Sequence, residues 1–430
     1  MTSARRFEQD LPALLDDLYV AGTPDYRDDL VRQTAALRQR PAWTFPERWL
    51  PMDLATRRMP FASVPFRALI VLAVILVMAA AALLVAVGSQ HRLPPPFGLA
   101  RNGAIAYVAN DDVLVSDPNG ANSRTLIGGS DNDHSPTFSP DGTRLMFVRV
   151  TSDGDFLWGA DADGTNQRPL FDQPLGDPKG GWSPDSRTIA MTNPVAGVRR
   201  LLLIHADGSP PDQIDLGSVV PTDVAWRPPF GHQLLVRART PSGKQDFVIV
   251  NLDGTGNHAL GLKSDLAMGE TWDNSGPAWS PTGDRIAYNV VEPGGSGGMA
   301  RTFRVHLMDA DGSHDVGVPQ PDIRAVQEAW PTWSPDGGRI LVHRWTWQPG
   351  GWGWLAVMPA DGSAPAHDIG QPFPGGQETG LVETWSPDGT RVIVRVGNTE
   401  RIYSIDPQAN AEVELPWTGS DLPDYQRLAP

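Results

Sequence analysis

The chain contains no cysteine. A domain exported without cysteine draws its stability from packing and not from disulfides. Lysine is almost missing as well, with only Lys179, Lys244 and Lys263 present. That scarcity leaves no polybasic patch for anionic lipid. Together with a formal net charge of −15 it excludes a face built to contact phosphates, so nucleic acid is not an expected partner. The nine histidines (91, 134, 205, 232, 258, 306, 314, 343 and 367) stand singly, with no His-Glu-x-x-His and no His-x-His pair. There is no P-loop and no dinucleotide fingerprint, so neither a metal nor a cofactor is expected. The letters Gly-x-Ser-x-Gly occur once, at Gly294–Gly298. A nucleophile elbow needs a strand before it and a helix after it. This stretch follows Glu292-Pro293 inside a predicted hairpin and reads as a loop tip, so no catalytic residue is assigned.

Long apolar runs are absent with one exception. Ala68 to Val87 is twenty residues without a charged or polar side chain, enough to cross a hydrocarbon core at about 1.5 Å per residue. Residues 68–88 are therefore expected to form a transmembrane helix. Arg48, Arg57, Arg58 and Arg67 precede the run closely, whereas Arg92 and Arg101 follow it, which places the N-terminus in the cytoplasm. Residues 89–96, with Pro94-Pro-Pro96, read as a short stiff linker. The charge is uneven: residues 1–67 hold ten Arg against nine Asp or Glu, and the remainder carries a balance of −16. Composition and layout together fit a single-pass protein of a bacterial cell membrane.

After the linker, one short phrase recurs. Phe138-Ser-Pro-Asp-Gly142, Trp182-Ser-Pro-Asp185, Trp279-Ser-Pro-Thr-Gly283, Trp333-Ser-Pro-Asp-Gly337 and Trp385-Ser-Pro-Asp-Gly389 are near-copies, and Trp226-Arg-Pro-Pro is a degenerate sixth. The intervals between aromatics are 44, 44, 53, 54 and 52 residues, a period that signals a repeat architecture. Ser-Pro-Asp-Gly suits a type I turn, in which Pro fixes φ and Gly takes φ > 0. An alternating run follows each turn, as in Arg144-Leu-Met-Phe-Val and Arg339-Ile-Leu-Val-His. A second phrase, Asp161-Ala-Asp-Gly164 and its counterparts ending at Gly208, Gly254, Gly312 and Gly362, marks a later hairpin. Paired carboxylates at Asp161/Asp163 and Asp309/Asp311 invite a calcium reading, but the later Glu of a calcium loop is missing and a structural turn is preferred.

Four short strands with their turns fill one propeller blade. The aromatic-Ser-Pro-Asp-Gly and Asp-Ala-Asp-Gly phrases in register resemble the TolB-type β-propeller repeat, a relative of the WD-like repeats, over roughly Phe97 to Trp417. The resemblance implies an all-β propeller and no catalytic residue. A further unit, Ala104-Ile-Ala-Tyr-Val108 and Val113-Leu-Val-Ser-Asp117, precedes the turn phrases, with Phe97 to Ala100 as its expected first strand. The count is then seven blades, or six if a terminal unit is incomplete. The propeller is expected over 97–418, with a C-terminal tail at 419–430.

Two regions depart from the repeat. In residues 1–67, Asp10 caps one expected helix to about Val20, and Thr23 with Pro24 starts a second, to about Gln39. Tyr26 and Leu30 lie on the apolar face of the second, and the aromatic stretch after it carries Trp43 and Trp49. These four are candidates for holding a cytoplasmic protein partner. A helical segment inside, one span and an outer domain resemble membrane-bound anti-sigma factors in arrangement only, since their zinc-binding His and paired Cys are missing here. The second region is Trp345-Thr-Trp347-Gln-Pro-Gly-Gly-Trp352-Gly-Trp354. Two Trp pairs on adjacent strands form either inter-blade packing or an exposed platform for a glycan or peptide. The overall expectation is a non-enzymatic propeller outside the membrane that binds an envelope protein or small ligand. The alternative is a transmembrane regulator whose propeller senses an envelope signal.

Overall fold

A computed structural model describes residues 95–429, apart from 177, 254, 263–264, 267–276, 294–300, 320–325, 347–350, 375–380 and 398. The expected cytoplasmic helices, the span at 68–88, most of the linker and the candidates Tyr26, Leu30, Trp43 and Trp49 lie outside the described residues. Among those described, no helix is long and apolar enough to cross a membrane.

Seven antiparallel sheets follow one another along the chain. The first contains β1 (Arg101–Ala109), β2 (Asp112–Ser116) and β3 (Arg124–Ile127). Blade II is β4 (Asn132–Phe138), β5 (Arg144–Thr151), β6 (Gly154–Asp161) and β7 (Arg168–Pro169), and blade III is β8 (Lys179–Trp182), β9 (Thr188–Val195), β10 (Val198–His205) and β11 (Asp212–Ile214). Blade IV is β12 (Val220–Trp226), β13 (Gln233–Arg239), β14 (Gln245–Asn251) and β15 (His258–Ala259). In blade V the first strand comes in two pieces, β16 (Asp265–Leu266) and β17 (Ala278–Trp279), followed by β18 (Arg285–Pro293), β19 (Arg301–Asp309) and β20 (Val316–Gly317). Blade VI is β21 (Val326–Trp333), β22 (Arg339–Thr346), β23 (Trp352–Pro359) and β24 (His367–Pro374). Blade VII is β25 (Leu381–Trp385), β26 (Val392–Val396), β27 (Arg401–Asp406) and β28 (Ala411–Thr418). First strands of neighbouring blades lie side by side, β8 against β12 for example, so they surround the axis while the exposed fourth strands form the rim.

The last strand corrects the expected boundaries. β29 (Asp424–Leu428) is no tail: it pairs antiparallel with β1 and becomes the first strand of blade I. The segment expected to fill that place, Phe97 to Ala100, does not pair there, and Arg427 instead fastens it by donating to the carbonyls of Pro95 and Gly98. The physical reason is the sheet edge. A ring of blades has no free ends only if the two ends of the chain share a sheet. Seven hydrophobic clusters confirm the closure, because each joins two adjacent blades and the seventh joins VII to I through Ile393, Leu415, Ile105 and Tyr425. An open array of seven blades has only six such seams.

The repeated phrase builds the seams. Phe138, Trp182, Trp226, Trp279, Trp333 and Trp385 are all buried. The Trp182 indole donates to Thr137 O, Trp226 to Gly181 O, Trp333 to Ala278 O and Trp385 to Thr332 O. Each acceptor precedes the aromatic of the preceding blade, so these four repeats each hang on the one before, whereas the buried Trp279 indole N–H finds no partner among the described residues. Inside the turn, the buried Ser334 hydroxyl donates to Asp336 Oδ1 (2.5 Å) and accepts from Arg339 N (2.9 Å). Gly337 closes the turn onto Ser334 O at φ 70°, a conformation that favours glycine. Blade IV lacks the Ser–Asp clasp, and there Arg227 reaches forward to Gly283 O instead.

Candidate functional site

The two ends of the propeller differ. Ser-Pro-Asp-Gly turns and Asp-Gly turns both lie at one end, where connection lengths barely vary. The opposite end carries the second-to-third strand hairpins and the crossings between blades. The strands joined at that end are set further apart along the chain in blades V and VI than in blades I to III, as the steps from β18 to β19 and from β22 to β23 show. Variation on a rigid scaffold is where binding residues concentrate.

The tryptophan hairpin of blade VI lies at this end, and it does not form the cross-strand Trp pairs expected from a four-residue turn. Register pairs Trp345 with Gly353 and Arg344 with Trp354, and Trp352 N donates to Thr346 Oγ1 (2.9 Å). Residues directly opposite share a face of the sheet. Trp352 and Trp354 therefore share a face with Arg344 and Thr346, and Trp345 points the other way with His343. Trp347 lies outside the described residues.

Trp345 is packing. It is fully buried, stacked 5.1 Å from the Trp330 ring and 5.6 Å from both Phe303 and His343. The backbone of Trp330 adopts φ 56° at a bulge in β21, a strained setting for a bulky side chain. His343 is sealed in the same cluster, and burial depresses its pKa to about 3, so it stays neutral.

The other two indoles line a concavity. Trp352 is 48% exposed and Trp354 is half-buried. With Thr346, Asp368, Gly370 and Pro372 they line a notch of about 350 Å³ whose walls are mainly apolar. Beneath it lies an ion triad absent from the sequence expectations. Arg344 donates to Glu328 Oε1 through Nε (2.7 Å) and Nη2 (2.5 Å), and through Nη1 to Asp368 Oδ1 (2.5 Å). Glu328 and Arg344 are buried, whereas the Asp368 side chain is 58% exposed. Gly370 N donates to Asn410 Oδ1 (2.7 Å) and Gln371 N to Glu412 Oε2 (2.9 Å), so blade VII braces the strand carrying Asp368. No sequence signal marks Glu328 or Asp368, because only the strand register brings them to Arg344.

Elsewhere the carboxylates serve the fold. Asp163 Oδ1 accepts from Thr165 N (3.0 Å) and Thr165 Oγ1 (2.6 Å), which holds its pKa below the usual carboxylate range. Asp161 accepts from Asn166, and Asp309 bonds His314. These contacts favour the turn reading of the Asp-x-Asp-Gly corners. Asp133 is clamped by Arg149 at 2.7 and 2.8 Å. On the axial strands, burial pushes Glu383 up to about 8 and Asp424 to about 7, the latter while it accepts from Phe138 N (2.7 Å).

The sequence model of the TolB beta propeller domain matches residues 102–369. The chain belongs to the TolB β-propeller family. Solved structures share the fold of this TolB-type propeller at low identity. TolB from Acinetobacter baumannii is 18% identical, with 64% of each chain covered and a TM-score of 0.45. The tricorn protease is 13% identical over 79% of this chain and 36% of its own, at a TM-score of 0.52. Oligogalacturonate lyase from Vibrio parahaemolyticus is 12% identical over 74% and 86%, at 0.51. The TolB-type chain thus spans about two thirds of the first of these and about a third of the second. Identities this low bear on the fold alone, and the likeness in fold rests on the second and third of these structures.

Proposed function

We propose that the chain is a single-pass membrane protein that presents its TolB-type propeller outside the cell, where the propeller acts by binding a protein or small ligand rather than by catalysis. The observation that carries the binding reading is the notch. An exposed indole, Trp352, stands beside a half-buried one over an open cavity, at the end of the propeller where the repeats vary. Exposed aromatics grouped around a concavity mark interaction sites. The membrane reading is supported by the apolar run at Ala68–Val87 and the arginine asymmetry around it.

The test is photo-crosslinking in living cells. A benzophenone-bearing amino acid replaces the exposed Pro372 at the notch or, as a control, the exposed Pro210 at the turn end. Adducts of discrete mass from position 372 that disappear with Trp352→Ala support the reading. Adducts indifferent to Trp352, or identical from both positions, refute it.

A second reading rests on the cytoplasmic segment. Tyr26 and Leu30 on one helical face, with Trp43 and Trp49 after it, offer apolar surface that two short helices alone do not bury. In this reading the segment holds a cytoplasmic protein, as anti-sigma factors do, and the propeller senses an envelope signal. Co-purification of a cytoplasmic protein that is lost with Trp43→Ala/Trp49→Ala separates it from a simple anchor.

A further inference from the structure

We infer that the notch of blade VI takes a neutral sugar ring, the end unit of an oligosaccharide. The inference rests on the notch being the binding site and adds the chemical class of its ligand. Its starting point is the way the notch is made. Between the paired positions Gly353–Phe373 and Leu355–Ile369, Trp354 alone stands opposite Gly370, Gln371 and Pro372, so β24 bulges across from an indole. The bulge is fixed by blade VII. Gly370 sits at φ 68°, and a Cβ there meets Ile405 Cδ1 at 2.7 Å and Glu412 Oε2 at 2.9 Å, so glycine is what lets blade VII come this close. Asn410 and Glu412 then accept from Gly370 N and Gln371 N. The concavity is thus shaped in advance of any ligand, which lowers the ordering cost of binding.

Its polar wall is one carboxylate of fixed direction. Arg344 bonds the acid opposite it on the first strand, Glu328, as Arg149 bonds Asp133 in blade II, so that contact belongs to the repeat. The outer contact differs between the two blades. Arg149 reaches the neutral Gln167 (3.2 Å), whereas Arg344 reaches Asp368 Oδ1 (2.5 Å). Asp368 Oδ2 makes no hydrogen bond among the described residues, and the side chain is largely exposed beside the notch. An ionised carboxylate only accepts, so the group that meets it must donate. The rest of the lining is mainly apolar, with the indoles of Trp352 and Trp354 beside Pro372. A sugar ring meets both demands, with C–H groups on its faces for the indoles and hydroxyl donors on its edge for the carboxylate. An apolar side chain strips water from Oδ2 and returns no hydrogen bond. A second cation has to share a carboxylate already bonded to Arg344 and is repelled by that guanidinium. An anionic ligand faces the balance of −16 carried after residue 67. At about 350 Å³ the notch is at the small end of the range of ligand pockets, which suits the end of a glycan.

The experiment is a saturation-transfer NMR titration of the full-length chain in a detergent without a sugar headgroup. The probes are chitotriose, cellotriose and mannotriose, with Nα-acetyl-norleucine methylamide and Nα-acetyl-lysine methylamide as apolar and basic comparators. The expected result is that at least one trisaccharide binds at least about tenfold more tightly than both amides, with an affinity that added salt leaves unchanged. Trp352→Ala and Asp368→Asn each weaken it about tenfold. Trp352→Phe recovers part of the loss, which a misfolded variant does not do. Asparagine at 368 still offers Arg344 an oxygen, so the effect there reports the ligand and not the fold. Trisaccharide binding that either substitution to Ala or Asn leaves untouched, or no trisaccharide binding at all, overturns the sugar. Trp352-dependent binding of an amide in preference to the trisaccharides overturns it too, yet leaves the notch standing as a site. Silence from every probe, together with no Trp352-dependent adduct at position 372, removes the site itself.

Discussion

Trp345 and Trp352 lie seven residues apart in one hairpin, and replacing each with alanine separates packing from display. Trp345 is fully buried, with aromatic partners at 5.1 and 5.6 Å. Truncating a buried tryptophan costs about 3–5 kcal/mol. One feature moves the value to the lower end. The Trp345 indole N–H is buried without a partner among the described residues, and such a group costs about 1–3 kcal/mol while it is there. Alanine removes that burden along with the packing, so a net loss of about 3 kcal/mol is expected. Trp345→Phe keeps an aromatic ring and also deletes the N–H, and it costs under about 1 kcal/mol. Trp352→Ala removes an indole that is half in water and also costs under about 1 kcal/mol. Thermal unfolding of the full-length chain in detergent, followed by tryptophan fluorescence, reads these as a fall of at least about 5 °C for Trp345→Ala and about 2 °C or less for the others. Equal shifts for Trp345→Ala and Trp352→Ala refute the division of the hairpin into a packed face and a displayed face.

Other outcomes follow from the seams and the axis. Deleting residues 419–430 removes β29 and the Tyr425 contact with Ile105 and Ile393, so cooperative unfolding is lost and limited proteolysis cuts within blade I; an unchanged melting curve contradicts closure by this strand. A Cβ at Gly283 meets Pro228 O at 2.0 Å, so Gly283→Val lowers the melting temperature sharply, whereas Gly243→Val meets nothing within 4 Å and acts through its positive φ alone. Glu383 has its folded pKa raised above the unfolded value, so its contribution is complete in acid and is lost as pH rises through about 8. Glu383→Gln therefore gains stability relative to the wild type between pH 5 and pH 9. The full shift corresponds to about 5 kcal/mol, reduced to a fraction of that by water reaching the half-buried carboxylate. A melting-temperature difference that does not change with pH contradicts the desolvation of this group.

The blades were legible because their signal is local. Aromatic, turn and alternating strand lie within about fifteen residues, and the recurrence gave seven units, as the seven sheets bear out. The closure was not legible, because Asp424-Tyr-Gln-Arg-Leu428 has no turn phrase and its role depends on pairing with residues more than three hundred positions away. The same limit applies at the site. The sequence singled out the tryptophan hairpin, but the faces of its strands depend on a register that a one-residue change in loop pairing reverses. Only that register puts Trp345 opposite Gly353 and carries Arg344 to Glu328 and Asp368.

The proposed placement of the propeller outside the membrane underlies the whole functional reading, and the absence of cysteine makes it directly measurable. Single-cysteine variants Ser209→Cys, on the exposed turn end of blade III, and Arg40→Cys are treated in intact cells with a membrane-impermeant maleimide. The account predicts that Ser209→Cys is labelled at once and that Arg40→Cys is labelled only after permeabilisation. Labelling of Arg40→Cys in intact cells, with Ser209→Cys protected, contradicts it.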